Sequence, residues 1–445
     1  MRRAVASAML LGALEASSLS AQTFDAQTEG LPVGRFLVHP SLTFEYTHDS
    51  NALYVSSELQ SALEASSGIF VVKPRVLVDL PLGQNRIRWT YSPMYRRYTN
   101  DAVAKNVPLS HNFDLESTFV LGPSLHLTLR DHFFRGTIEL REVDPGGELT
   151  FGLVPFSVHE PEFDITADLG ARHGVSLIPR YSSTDFANPE SASFFNYTRR
   201  EIEGRYNYRL SEPSTMYAFY ALSDTIQDRQ VAFFGDISLS TRRTGLGLRR
   251  TVNQAVVTEM SAGYETIRFR GGLGRDFSGP VVRVDATWQP SDASRLDLSL
   301  LRQPYQSFYA NNNYFLDERV GLRLLRQVGP RAYLQIGGGV RWNNYADPLD
   351  ISVGPKTPPG NDVDGNGQID AFESLAASIG TRRKDRVREL ELGIGYRFLP
   401  TLRGYIGYNF ERRSSNIEQL ISGELVDPFH YEVNRLVFRI EAGWL

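Results

Sequence analysis

Apolar and polar residues alternate one by one over many stretches of the chain. In RIRWTYSPMYRR, the apolar residues Ile87, Trp89, Tyr91 and Tyr95 alternate with arginines and other polar side chains. The stretches RELELGIGYRF and RLVFRIEAGW show the same alternation near the C-terminus. A period of two places successive side chains on opposite faces of a β-strand. The sequence therefore predicts amphipathic strands, each with one apolar face and one charged face.

Short and long connections between these strands alternate along the chain. Long polar or irregular stretches, such as 134–161 and 343–384, are separated by short Gly-, Pro-, Ser- and Asn-rich turns. Outer-membrane barrels combine tight periplasmic turns, long extracellular loops and strands that are apolar outside and polar inside. Eight short turns and nine long connections predict an all-β fold, a transmembrane antiparallel up-and-down β-barrel of about 18 strands. The predicted short turns are 80–85, 121–124, 171–174, 211–214, 251–254, 289–294, 327–330 and 399–401.

Closure into a barrel explains how a chain with charges in nearly every strand can span a membrane. All backbone polar groups must be paired internally in lipid, which only a helix or an edgeless barrel achieves. The chain has no run of roughly 18 apolar residues, the length that a membrane helix needs. A secreted β-sandwich or solenoid is the alternative, but it does not require connections that alternate in length. The barrel is favoured for that reason.

The first residues have the order of a secretory signal. Two arginines precede a short apolar run, and small residues follow that end at Ala21. The alternative is an amphipathic N-terminal helix, because one acidic residue interrupts the apolar run. The expected organisation is a signal peptide at 1–21, a short periplasmic segment at 22–35 and an outer-membrane barrel at 36–445. Both termini of the mature protein are expected in the periplasm of a Gram-negative-type bacterium.

Composition excludes some partners and some sites. The net charge of −4 gives no basic footprint for a nucleic acid. The absence of cysteine excludes disulfides and thiolate metal sites. The expected partners are instead outer-membrane lipid, the barrel-insertion machinery, and anionic polysaccharide or small solutes.

One long connection contains a calcium-loop pattern, NDVDGNGQIDAFE, within 343–384. Its acidic and amide residues follow the spacing of the twelve-residue EF-hand loop, which supplies six to eight oxygen ligands to Ca²⁺. A polar turn without metal is the alternative, because such turns have a similar composition. The sequence predicts a structural Ca²⁺ in an extracellular loop. The predicted ligands are Asp362, Asp364, Asn366, Gln368 (through its carbonyl), Asp370 and Glu373.

Charged residues also occupy the inward positions that a period of two assigns. Arginine binds carboxylate or sulfate through two parallel hydrogen bonds, so a cluster of arginines could guide an anionic polymer. The alternative is a ladder of ion pairs that neutralise one another across neighbouring strands. We favour the ladder for most of the interior. The strongest excess of positive charge, and the predicted pore lining, is Lys73, Arg75, Arg86, Arg88 and Arg96 on the second and third strands.

The segment VGRFLVHPSLTFEYTHDSNALY at 33–54 has a Pro-Ser-Leu strand and an Asp-x-Asn loop. It resembles the first strand and loop of the β-barrel porins linked to capsule and exopolysaccharide gene clusters. The resemblance implies an outer-membrane channel, with polysaccharide export or secretion as its function. It implies no catalytic residues.

Two other function classes stay open beside a channel. A barrel with large loops could serve surface display or adhesion without an open pore. A barrel enzyme would need a catalytic site, for which the sequence offers His111, His126 and His132 near acidic residues. No serine lies in a recognisable nucleophile motif, so we do not expect an enzyme.

Overall fold

The computed structural model describes most of the predicted barrel. The described residues are 30–56, 64–101, 103–104, 107, 109–139, 153–186, 196–227, 238–252, 255–270, 275–307, 312–349, 378–421, 424–427 and 429–444. The predicted signal peptide at 1–21 and the predicted calcium loop at 362–373 lie outside these residues. In the described part of the chain, no helix is long and apolar enough to cross a membrane.

The described chain forms 21 β-strands. They are β1 (Leu31–Val33), β2 (Phe36–Asp49), β3 (Ser67–Leu82), β4 (Asn85–Tyr98), β5 (Ser110–Leu121), β6 (Leu125–Glu139), β7 (Leu153–Asp168), β8 (His173–Phe186), β9 (Tyr197–Ser211), β10 (Ser214–Gln227), β11 (Leu239–Val252), β12 (Val256–Phe269), β13 (Phe277–Ser291), β14 (Ser294–Gln306), β15 (Tyr314–Val328), β16 (Ala332–Pro348), β17 (Arg382–Leu399), β18 (Leu402–Ser415), β19 (Gln419–Ile421), β20 (Glu424–Val426) and β21 (Tyr431–Gly443).

Eighteen of these strands, β2 to β18 and β21, close into one antiparallel barrel. Each pairs with the strand before and after it, and β21 closes the ring because it pairs with both β18 and β2. The short β1 pairs with the start of β2, and β19 pairs with β20 as a hairpin in the last long connection. The predicted antiparallel barrel of about 18 strands is confirmed.

The alternation of short and long connections is also confirmed. The eight short turns join strands through two to four residues, and each overlaps the position predicted for it; the turn predicted at 171–174 lies two residues earlier, because β8 begins at His173. Gly83 and Gly329 have φ angles of 66° and 72°, a region that glycine enters without steric cost, and this permits such tight turns. We call this end of the barrel the short-turn end and the opposite end the long-loop end.

Some strands extend further toward the long-loop end than the sequence indicates. The predicted connection 134–161 is wrong at both margins, because β6 continues to Glu139 and β7 begins at Leu153. The pattern of apolar outward and polar inward residues changes here, because the apolar residues Phe134 and Phe156 lie on the inward face. Their rings lie 5.0 Å apart. The predicted connection 343–384 is shortened in the same way by β16 and β17.

The outward face of the barrel is apolar and exposed. On β17, Leu390, Leu392, Ile394 and Phe398 alternate with charged residues and are 40% to 58% exposed. Their neighbours on the other strands continue the same surface around the barrel. A contiguous apolar surface of this size is costly in water and typical of a surface that faces a partner or a membrane. The apolar band of outer-membrane barrels is about 25 Å tall, and five successive outward positions of β17 extend over a comparable height.

Candidate functional site: the charged interior of the barrel

The inward face carries charged residues on nearly every strand, and most of them form salt bridges. A recurring unit is an arginine and an acidic residue two positions apart on one strand. Arg283 with Asp285 and Arg295 with Asp297 are such units, with Nε–O distances of 2.6 Å and 2.8 Å. Positions two apart share a face, so the spacing Arg-x-Asp brings the two groups together within a single strand. This spacing is a local signal for ion pairs, and the prediction from alternation alone did not use it.

The most connected part of the ladder centres on Arg180 of β8. Its guanidinium contacts Glu162 on β7 at 2.5 Å, and Glu201 and Glu203 on β9 at 2.7 Å and 3.3 Å. The side chains of Glu201 and Glu203 are only 4% exposed. Several arginines must therefore compensate these two carboxylates, because an unpaired charge in such a place costs several kcal/mol. The network fixes the relative register of β7, β8 and β9.

This network also crosses a strand. Arg243 on β11 lies 3.3 Å from Glu203 on β9, although β10 runs between them. Ala221 of β10 is the register partner of both residues. Its small side chain leaves room for the two charged groups to meet above it.

The predicted positive strip lies on β3 and β4. All five residues occupy inward positions, and the only inward carboxylate on these two strands is Asp79. Arg86 donates from Nε to Asp79 at 2.7 Å, and Arg88 approaches the same carboxylate at 3.8 Å. Arg96 is 9% exposed and lies nearer the long-loop end. The two strands therefore carry a clear excess of positive charge.

Lys73 and Arg75 differ from the other cations of the strip. Within the described part of the chain, neither lies within salt-bridge distance of a carboxylate. Both are half-buried and occupy successive inward positions of β3. They are the cations of the strip that no described carboxylate neutralises directly.

Inward tyrosines lie flat against the barrel wall. The ring of Tyr405 on β18 occupies the space that a Cβ atom would need at Gly393 and at Gly407. Tyr217 covers Gly247 in the same way. Strand glycines commonly mark such close approaches. The result is that large aromatic side chains follow the wall instead of projecting toward the barrel axis.

At the long-loop end, a buried charged cluster supports the last long connection. Arg383 and Arg413 both bind Asp385, and all three side chains are at most 1% exposed. The guanidinium of Arg383 lies 4.6 Å from the ring centroid of Tyr345 and 3.4 Å from that of Phe429. Phe429 belongs to the connection before β21, so this connection folds over the inward ends of β16, β17 and β18.

The Asp-x-Asn loop has a structural role at the closure of the barrel. The backbone N–H of Asn51 donates to Asp49 at 2.9 Å, and Asp49 also accepts from Arg435 of β21 at 2.7 Å. The Asn51 amide donates to the carbonyl oxygens of Val55 and Glu432 at 2.8 Å and 3.3 Å. This motif therefore ties the first loop to the last strand.

The three candidate histidines do not share one site. His132 lies on the inward face and contacts Asp114 at 2.6 Å, and His126 contacts Asp168 at 3.4 Å. His111 is on the outward face, where it contacts Tyr91 at 2.8 Å. The strand alternation thus separates His111 from the other two.

No group of three or more metal-ligating side chains occurs among the described residues. The predicted calcium ligands, Asp362 to Glu373, all fall in the part of the chain that the structure does not describe. The calcium site therefore stays a prediction from sequence.

No protein-family model matches the chain, and no curated protein is similar to it in sequence. Solved structures with a similar fold include OccK1 (OpdK) from Pseudomonas aeruginosa, with a TM-score of 0.46, 12% identity, and coverage of 92% of this chain and 99% of that chain. OpdO from the same organism has a TM-score of 0.46 and 10% identity, over 91% and 97% of the two chains. The FrpB iron transporter from Neisseria meningitidis (F3-3 variant) has a TM-score of 0.44 and 9% identity, over 94% and 83%.

Proposed function

We propose that the protein is a solute channel of an outer membrane. The observation that carries the proposal is a charged inward face that runs the length of a closed barrel of 18 strands. Barrels of 16 to 18 strands are wide enough to leave an aqueous channel. The tyrosines that lie flat against the wall, such as Tyr405, keep that width. In this proposal the long loops are extracellular, and the short turns and both termini are periplasmic.

The positive strip on β3 and β4 gives this channel a preference for anions. Lys73 and Arg75 attract negative solutes because no carboxylate among the described residues neutralises them directly. The guanidinium fork of Arg75 matches carboxylate and sulfate groups. We propose anionic solutes as the permeants, with acidic polysaccharide as the polymer that the strip would guide. A Ca²⁺ bound at 362–373 would order an extracellular loop and leave this interior unchanged.

Planar bilayer recording tests the proposal directly. The purified protein should insert and produce stepwise increases in conductance. In a KCl gradient, the reversal potential should have the sign of an anion-selective pore. Heat-modifiable migration on a gel should show in parallel that the inserted protein is folded. Folded, inserted protein without conductance steps would contradict the channel and favour a display or adhesion barrel.

A further inference from the structure

The outward face of β17 and β18 carries a dense group of cations at the long-loop end. Arg386 and Arg388 on β17 and Arg412 on β18 are all exposed. Lys384 continues the same face of β17 toward the long-loop end. We call these four residues the outer cation cluster.

The outer cation cluster starts where the apolar band ends. On the outward face of β17, Arg388 lies one position nearer the long-loop end than Leu390. On that of β18, Arg412 lies one position nearer the same end than Phe410. The guanidinium of Arg386 lies 6.0 Å from the ring of Trp342 on β16. Tryptophan is enriched at the level of lipid headgroups in membrane proteins. These positions place the cluster at headgroup height.

The positive charges of the cluster lie close enough to repel one another. Arg388 and Arg412 are direct register partners, and like charges directly opposite each other destabilise a sheet. Within the described part of the chain, none of the four cations lies within salt-bridge distance of a carboxylate. An outward arginine elsewhere is compensated, since Arg302 pairs with Glu318. A negative group from outside the protein would supply the counter-charge that no described carboxylate supplies.

We propose that the outer cation cluster binds the phosphate headgroup of an anionic lipid in the membrane leaflet at the long-loop end. Two guanidinium groups side by side can each donate two parallel hydrogen bonds to phosphate oxygens. The acyl chains would then lie along Leu390 and the neighbouring apolar band. The proposal depends on the membrane position of the barrel and is independent of conductance.

Native mass spectrometry of the full-length protein in neutral detergent tests this site. The probes are phosphatidic acid and phosphatidylcholine with identical acyl chains. The wild type should retain phosphatidic acid preferentially, and Arg388→Gln/Arg412→Gln should weaken that retention by about tenfold. Arg302→Gln, which removes an outward arginine that already has a carboxylate partner, should retain as much phosphatidic acid as the wild type.

Thermal unfolding without lipid separates loss of the site from loss of the fold. Arg388→Gln/Arg412→Gln should unfold at the wild-type temperature or above, because the substitution removes a repulsive pair. Phosphatidic acid should raise the unfolding temperature of the wild type more than that of the variant. Equal lipid retention by the wild type and the variant would overturn the proposal. So would equal stabilisation by inorganic phosphate alone, which would assign the site to a free anion.

Discussion

Arg243 of β11 and Glu203 of β9 form a 3.3 Å salt bridge across an intervening strand. Adjacent strands lie roughly 4.8 Å apart, so a pair that skips one strand must span about twice that distance. Long side chains can do so only if the residue between them is small. Ala221 meets that requirement and is itself only 4% exposed.

Enlarging this residue should break the bridge. Ala221→Leu places a branched apolar side chain between the two charged groups and should destabilise the barrel by about 1–3 kcal/mol, the usual effect of overpacking. Urea unfolding in lipid vesicles measures the change. The control is Ala218→Leu, which changes the same strand on its exposed outward face and should have little effect. Equal destabilisation by both variants would show that the bridge across β10 contributes nothing.

The ion selectivity of the proposed channel should depend on Lys73 and Arg75. Lys73→Gln/Arg75→Gln removes two positive charges that have no carboxylate partner within the described residues, so the reversal potential in a KCl gradient should shift toward cations. The matched control is Arg86→Gln/Asp79→Asn, which removes a bound pair and leaves the net charge unchanged. This control should shift the reversal potential far less. Equal shifts would mean that the strip does not determine selectivity.

The flat position of Tyr405 predicts a variant with reduced conductance. In Gly393→Val, the new side chain would overlap the tyrosine ring and push it away from the wall toward the barrel axis. Single-channel conductance should therefore fall. Gly393→Val/Tyr405→Ala should recover it, because the displaced ring is then absent. A conductance that stays low in the double variant would assign the effect to strand distortion.

The buried cluster at the long-loop end should control the stability of the last connection. Arg413→Gln removes one of the two arginines that bind the fully buried Asp385, and the loss of a hydrogen bond to a charged group costs about 1.5–3 kcal/mol. We expect faster protease cleavage within 416–430 while the rest of the barrel stays resistant. Ser414→Gln, on the exposed face next to it, is the control and should be cleaved at the wild-type rate. Unchanged cleavage in Arg413→Gln would show that the buried cluster does not stabilise the last connection.

The calcium loop is tested by protection from protease. Millimolar Ca²⁺, but not Mg²⁺, should slow cleavage within 355–380, as expected for an extracellular module with a dissociation constant of about 10⁻⁴ to 10⁻³ M. Asp362→Ala/Glu373→Ala should abolish that protection because it removes the first and last ligands. Equally fast cleavage of the wild type in calcium and in chelator would identify the stretch as a turn without metal.

The sequence by itself determined the strands, the turns and the two faces of the barrel. The alternation of Leu390, Leu392 and Ile394 with charged residues is a local property, because the period of a strand is two wherever it pairs. Turn residues such as Gly83 and Gly329 are local in the same sense. These signals were enough to predict the barrel and its number of strands. They failed at Phe134 and Phe156, where the apolar residues face inward and the alternation changes phase.

Which charges meet across neighbouring strands is decided by the register of the folded barrel. The contact of Arg243 with Glu203 depends on the register of three strands, and register is set jointly by neighbours that lie far apart in sequence. The same register leaves Lys73 and Arg75 without a directly bound carboxylate among the described residues, while Arg86 has one. It also places Arg388 opposite Arg412 on the outward face. Apart from the Arg-x-Asp pairs within single strands, charge compensation in this barrel is thus a property of strand pairing, which the alternation within one strand does not encode.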